Sequence, residues 1–245
     1  VFINEPGIYR DSIRDSDLVS FQVNIEETSL YIKARSNLWN MAFRAALKYR
    51  ASLESYIAEH PVFPISLEPL PADEEAPQIV QDMTKAGTTV GTGPMAAVAG
   101  AIAEYVGKEL LPFSADVIVE NRGDVFLATT RRRFIGIYAG DSPFSGRIAL
   151  EIEPEQTPLG VCTSSGTVGH SLSLGKCDAV TVLSPSTCLA DAAATAIGNL
   201  IKRKDDIPNA IEFARRLPGL TAVVIIVGDN IALWGRARVV KVEAG

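Results

Sequence analysis

Apolar and polar positions alternate over residues 18–25 and again over 29–34, on either side of Glu26-Glu27-Thr28. A period of two interrupted by a polar turn predicts a β-hairpin. From Asn37 the period lengthens. Leu38, Met41, Ala45, Leu53 and Ile57 recur at helical spacing to about His60, and Pro61 and Pro64 stop the pattern. Asn37 reads as the cap at the start and His60 as a capping residue at the end. Residues 69–77 are acidic and proline-bearing, which predicts a surface loop, and 79–85 predicts a short helix.

Glycine-rich residues 87–94 then lead into a helix of small residues over 95–110. Short apolar runs at 117–119 and 124–128 flank Asn121-Arg122-Gly123-Asp124, which has the composition of a hairpin turn. Further strands are predicted at 134–138, 147–152 and 179–183. A second alanine-rich helix follows around Ala190, with Ser186 or Thr187 as its cap, and another helix at 208–217. A hairpin of 222–227 and 231–234 closes around Gly228-Asp229-Asn230, and 239–242 ends the pattern.

This succession predicts an α+β fold with mainly antiparallel sheet and packed alanine-rich helices. The order of glycine-rich loop, alanine-rich helix and Gly-Asp hairpin occurs twice. The chain is therefore read as one internally duplicated domain, 1–245, with lobes of roughly 18–150 and 151–245 and a ligand site at their junction.

Composition narrows the function. Hydrophobic residues make up 47% of the 245 and charged residues 21%, as in an ordinary globular protein with a sizeable core. The net charge is −6 and the only basic run is Arg131-Arg132-Arg133, which argues against a nucleic-acid partner. No apolar run reaches about 18 residues, so no membrane span is expected. Three cysteines, Cys162, Cys177 and Cys188, without CxxC spacing read as reduced thiols in a cytoplasmic protein. The first residue is Val1, so a few residues are expected to precede it.

The candidate chemistry gathers in residues 160–195. Gly160-Val161-Cys162-Thr163-Ser164-Ser165-Gly166-Thr167-Val168-Gly169-His170 reads as a glycine- and hydroxyl-rich loop whose backbone amides suit a phosphate or a flat ring. His170 suits ligand binding or proton transfer near neutral pH. Asp191 and Thr195 stand four apart on one helix face, where a buried acid calls for a partner and a hard cation such as Mg²⁺ is one candidate. The alternative is an acid that simply stabilises a helix N-terminus. Cys162 reads as a buried packing residue or, if its pKa is lowered, as a nucleophile. Asp124 is a further candidate for proton transfer, crowded by Glu120, Asn121 and Arg122. Arg131, Arg132, Arg133 and Lys176 are candidates for offsetting ligand phosphates.

The segments VGTGPMAAVAGAIAE, VIVENRGDVFL, IGIYAGDSPFSG, GVCTSSGTVGHSLSLGKCDAVTV and ADAAAT together resemble the short branch of the ApbE-like superfamily, whose namesakes are FAD:protein FMN transferases. The resemblance implies an ApbE-like fold of two related halves around a flavin-nucleotide site for FAD or FMN, with a protein as acceptor. It implies Mg²⁺ ligands at Asp191 and Thr195 and flavin-nucleotide contacts from Gly123, Thr163, Ser164, Ser165, Gly166 and Thr167. Its Gly-Gly-Asp turn falls on Arg122-Gly123-Asp124, so Arg122 stands in place of a glycine. The transferase motif His-x-x-Asp-Pro-x-Thr-Gly has no counterpart, because His170 and Asp178 stand at a different spacing. Three functions follow: a Mg²⁺-assisted flavin-nucleotide transferase or hydrolase using His170 or Asp124, a non-catalytic flavin or nucleotide binder, and a sulfur-handling protein carrying persulfide on Cys162.

Overall fold

The N-terminal alternation folds as a hairpin of β1 (Val19–Ile25) and β2 (Thr28–Ala34), with Val23 opposite Leu30 and both fully buried. These strands open a computed structural model that describes residues 17–166 and 175–242. The long helical pattern becomes α1 (Trp39–Glu59), whose first turn is fastened by Asn37 Oδ1 accepting from the Trp39 N–H at 3.0 Å. His60 ends it: its backbone N–H bonds back to the carbonyls of Tyr56 and Ile57.

The next helix is longer than its periodicity predicts. α2 runs Gln78–Val90, absorbs half of the glycine-rich segment and stops at Gly91 in the left-handed region (φ 81°). Gly87 lies inside it because a Cβ there would come within 2.7 Å of the Thr92 carbonyl. The predicted 95–110 helix splits into a 3₁₀ turn (Pro94–Ala97) and α3 (Val98–Leu110).

Beyond α3 come β3 (Val117–Asn121), β4 (Asp124–Ala128), β5 (Arg133–Gly136) and β6 (Ile148–Ile152). Then follow β7 (Leu159–Ser164), β8 (Ala179–Ser184), α4 (Thr187–Asn199) and α5 (Ile207–Arg216), and finally β9 (Ala222–Val227), β10 (Asn230–Gly235) and β11 (Arg238–Lys241). Eight strands form one antiparallel sheet in the order β1-β2-β3-β4-β7-β8-β9-β10, and β11-β6-β5 form a smaller one. The fold is α+β and mainly antiparallel. Each half of the large sheet is a hairpin, a helical excursion and a second hairpin laid beside the first.

Three layers result. The helices pack on one face of the large sheet, where Val23, Ile32, Val119, Phe126, Val182 and Ile225 join Met83, Ile102 and Ile197. The small sheet covers the other face through Ile118, Leu127, Val161, Leu183 and Val224 against Ile135, Leu150 and Ile152. Central strands buried on both faces carry apolar residues throughout rather than alternately, as in β9. Among the described residues no helix is long and apolar enough to cross a membrane.

Candidate functional site

β7 corrects the sequence expectation most directly. The stretch from Gly160 to Ser164, read as loop, is a central strand between β4 and β8. Gly160 is required there because a Cβ would lie 2.4 Å from the Thr187 Cα on α4. The hydroxyls are accommodated by pairing: Thr163 and Thr181 share a 2.9 Å hydrogen bond across β7 and β8. Two amides expected to cradle a ligand are engaged within the protein, the Thr163 N–H on the Gly123 carbonyl and the Gly166 N–H on the Cys177 carbonyl. Ser164 and Ser165 are buried just before Gly166. Thr167 and His170 lie outside the described residues.

The register of β4 against β7 sets Asp124 opposite Cys162 and brings Gly123 beside Thr163. The two-residue turn between β3 and β4 has both positions in the left-handed region, Arg122 at φ 54° and Gly123 at φ 101°, the geometry of a tight hairpin. Asn121 ties this turn to the start of α3, its Nδ2 donating to the Ala99 carbonyl at 3.1 Å.

Asp191 comes to the same place from α4. Ser186 caps that helix by accepting from the Leu189 N–H, so Asp191 sits just beyond the first turn. Its carboxylate reaches across to the other alanine-rich helix, and Oδ2 accepts from the Gly100 N–H at 2.8 Å. Gly100 has no room for a Cβ, which would meet the Thr187 carbonyl at 2.5 Å and the Asp191 Cβ at 2.7 Å. Asp191 thus accepts from the first turn of α3 rather than from that of its own helix. Thr195, one turn further along α4, is half-buried.

Sequence reading missed the reciprocal contact. Glu104 on α3 is buried, and its Oε2 accepts from the Cys188 N–H (3.0 Å) and the Ser186 hydroxyl (3.3 Å) at the start of α4. The signal was present, since Glu104 is an acid in an alanine-rich apolar helix just as Asp191 is.

Burial acts on both aspartates, and on Asp124 a neighbouring charge adds to it. Burial pushes the Asp191 carboxyl up to about 7, against the opposing pull of the Gly100 and Ala99 N–H groups. Burial and then the Asp191 charge push Asp124 well above the carboxylate range, with a hydrogen bond from the Cys162 thiol working the other way. Among the described residues neither aspartate has an ion-pair partner. Asp116 shows the contrast. Burial raises its pKa too, but bonds from the Thr130 N–H, the Arg35 guanidinium and the Thr129 and Thr130 hydroxyls outweigh that and hold it low.

Two buried carboxyl groups without a compensating base suit a hard cation, which would take the place of their protons, and Mg²⁺ needs only one or two protein carboxylates when a phosphate completes its shell. Among the described residues no three His, Cys, Asp or Glu side chains cluster as a fuller metal cage.

Other expectations are corrected. Cys162 is fully buried, and burial followed by Asp124 and Asp191 pushes its thiol far up. That is the reverse of the lowered pKa a persulfide carrier needs. None of the three cysteines is in a disulfide. The basic run is engaged in ion pairs away from Asp124 and Asp191. Arg131 and Arg133 pair with Asp17, and Arg132 pairs with Glu153, all past the far end of β4. Asp178 accepts from the Gly228 N–H at 2.6 Å and so pins the second Gly-Asp hairpin.

The family model described as AbpE bacteria matches residues 10–233. The chain belongs to this family. A UPF0280 protein of Methanopyrus kandleri is 43% identical to this AbpE-family chain over 236 residues, covering 93% of it and 95% of the relative. A UPF0280 protein of Methanocella arvoryzae is 41% identical over 213 residues, 86% of each. Among solved structures, the flavinyl transferase ApbE of Pseudomonas stutzeri superposes with a TM-score of 0.59 at 17% identity, covering 89% of this chain and 94% of that one. The flavin transferase ApbE of Vibrio cholerae gives 0.55 at 14%, covering 90% and 96%. At such identities the likeness establishes the ApbE fold.

Proposed function

We propose that the chain is a Mg²⁺-assisted enzyme acting on a flavin dinucleotide. In the reaction the P–O bond of the FAD pyrophosphate breaks, AMP leaves, and FMN joins the oxygen of an acceptor. The acceptor is a protein hydroxyl in a transferase and water in a hydrolase. The observation that carries this reading is the buried Asp124–Asp191 pair, placed without a cationic partner where α3, α4, β4 and β7 of an ApbE fold converge.

Asp191 and Thr195 would hold the cation. Bound there, it would neutralise charge on the pyrophosphate. Asp124, with its raised affinity for a proton, is the group suited to hold or release one as the acceptor attacks. Gly123, Thr163, Ser164, Ser165, Gly166 and Thr167 would contact the flavin nucleotide, and His170 would serve the ligand or a proton transfer. Three buried, unpaired cysteines support a reducing, cytoplasmic setting.

The test is incubation of the purified protein with FAD and Mg²⁺, with and without a protein acceptor. AMP and FMN, or AMP and flavinylated acceptor, should accumulate, and EDTA or Asp191→Ala should abolish both. Absence of turnover where a bona fide transferase works overturns the enzyme reading. FAD binding indifferent to EDTA and to Asp191→Ala would make the protein a flavin binder instead.

A further inference from the structure

A cleft of about 560 Å³ opens beside the Arg122-Gly123 turn, between α1, the β1–β2 turn and the start of α3. Its floor is apolar, with Leu53, Ile57, Met95, Val98 and Ile102. Two cations line it, and they differ. Arg50 is mostly buried and fully occupied, bonding to Glu26, Glu27, Glu54 and the Thr28 hydroxyl. Arg122 is exposed, and among the described residues it makes no hydrogen bond or ion pair; it only contributes at longer range to the field at Glu27. It is also held in the left-handed region, which a branched or long side chain adopts at a cost of about 1–2 kcal/mol. With Arg131–Arg133 engaged beyond the far end of β4, Arg122 is the cation two residues from Asp124 that is free to meet an anion.

We infer that Arg122 recognises the phosphate ester of a ligand whose flat apolar body lies along Met95, Val98 and Ile102. This rests on the flavin-nucleotide reading and adds a specificity residue to it. A guanidinium offers a forked pair of donors that matches phosphate oxygens, and Asn121, buried at the same wall, fixes the turn that carries it.

FMN and riboflavin share one ring system and differ by the phosphate, so their affinity ratio isolates the contact. Binding of each is measured by flavin fluorescence on the wild type, Arg122→Gly and Arg122→Lys. Glycine accepts φ 54° without strain, so the first variant keeps the turn, and its urea midpoint verifies the fold. The wild type should prefer FMN by about tenfold, a preference that weakens with salt. In Arg122→Gly the ratio should fall near unity with riboflavin affinity unchanged, and in Arg122→Lys part of it should remain. Equal binding of both flavins by the wild type, or an FMN preference that survives Arg122→Gly, overturns the role of Arg122 and leaves the flavin reading intact. Failure of the wild type to bind either flavin or FAD overturns both.

Discussion

At the residue scale the decisive pair is Asp124 and Asp191. Both carboxyls hold their protons more tightly in the folded chain than in the unfolded one. Through these two groups the native state binds more protons than the unfolded one above the unfolded pKa near 4, and their contribution to stability falls as pH rises, for Asp191 through about 7. Asp191→Asn keeps an acceptor oxygen for the Gly100 N–H and removes the titration. In EDTA the variant should be more stable than the wild type by about 2 kcal/mol at pH 8, and the gap should close towards pH 4. Urea unfolding at the two pH values measures it; a wild type more stable at pH 8 would contradict the account. Cys162 behaves in the same spirit. Its thiol should resist iodoacetamide in the native protein at pH 7.5 and react only at the rate of unfolding, which mass spectrometry of the labelled peptide reads directly.

At the scale of elements, the two alanine-rich helices cap each other. Asp191 of α4 serves the first amides of α3, while Glu104 of α3 serves those of α4. Neither helix has an acidic residue in its own first turn, so each depends on the other for the negative charge its N-terminus favours. Glu104→Ala should cost about 1–2 kcal/mol in urea unfolding, the usual worth of a lost cap. Gly100→Ala should cost more, about 2–3 kcal/mol, because the added methyl drives into the Thr187 carbonyl and parts the helices. Part of this was legible in the chain: alternation found β1 and β2, period and proline found α1, and a lone acid in an apolar helix marked Asp191. β7 was not legible. Glycine and hydroxyl residues signal a loop unless a neighbouring helix needs the space and a facing threonine takes the hydrogen bond, and only the tertiary structure supplies Thr187 and Thr181.

At the scale of the whole molecule, the sheet order joins the halves at β4 and β7, the two strands that carry Asp124 and Cys162. The Asp124–Asp191 pair thus lies by this seam, and closing it brings two buried acids together. A cation bound there would repay that, so saturating Mg²⁺ should flatten the fall of stability with pH, measured by repeating the urea titrations with Mg²⁺ in place of EDTA. The exchange of caps between α3 and α4 has a consequence for assembly. If the backbone were severed in the turn near Asp141, each piece would own one helix end without its acidic partner and the acid that belongs on its counterpart. Produced separately, the two pieces should stay largely unstructured, and mixing them should restore a single folded species by complementation.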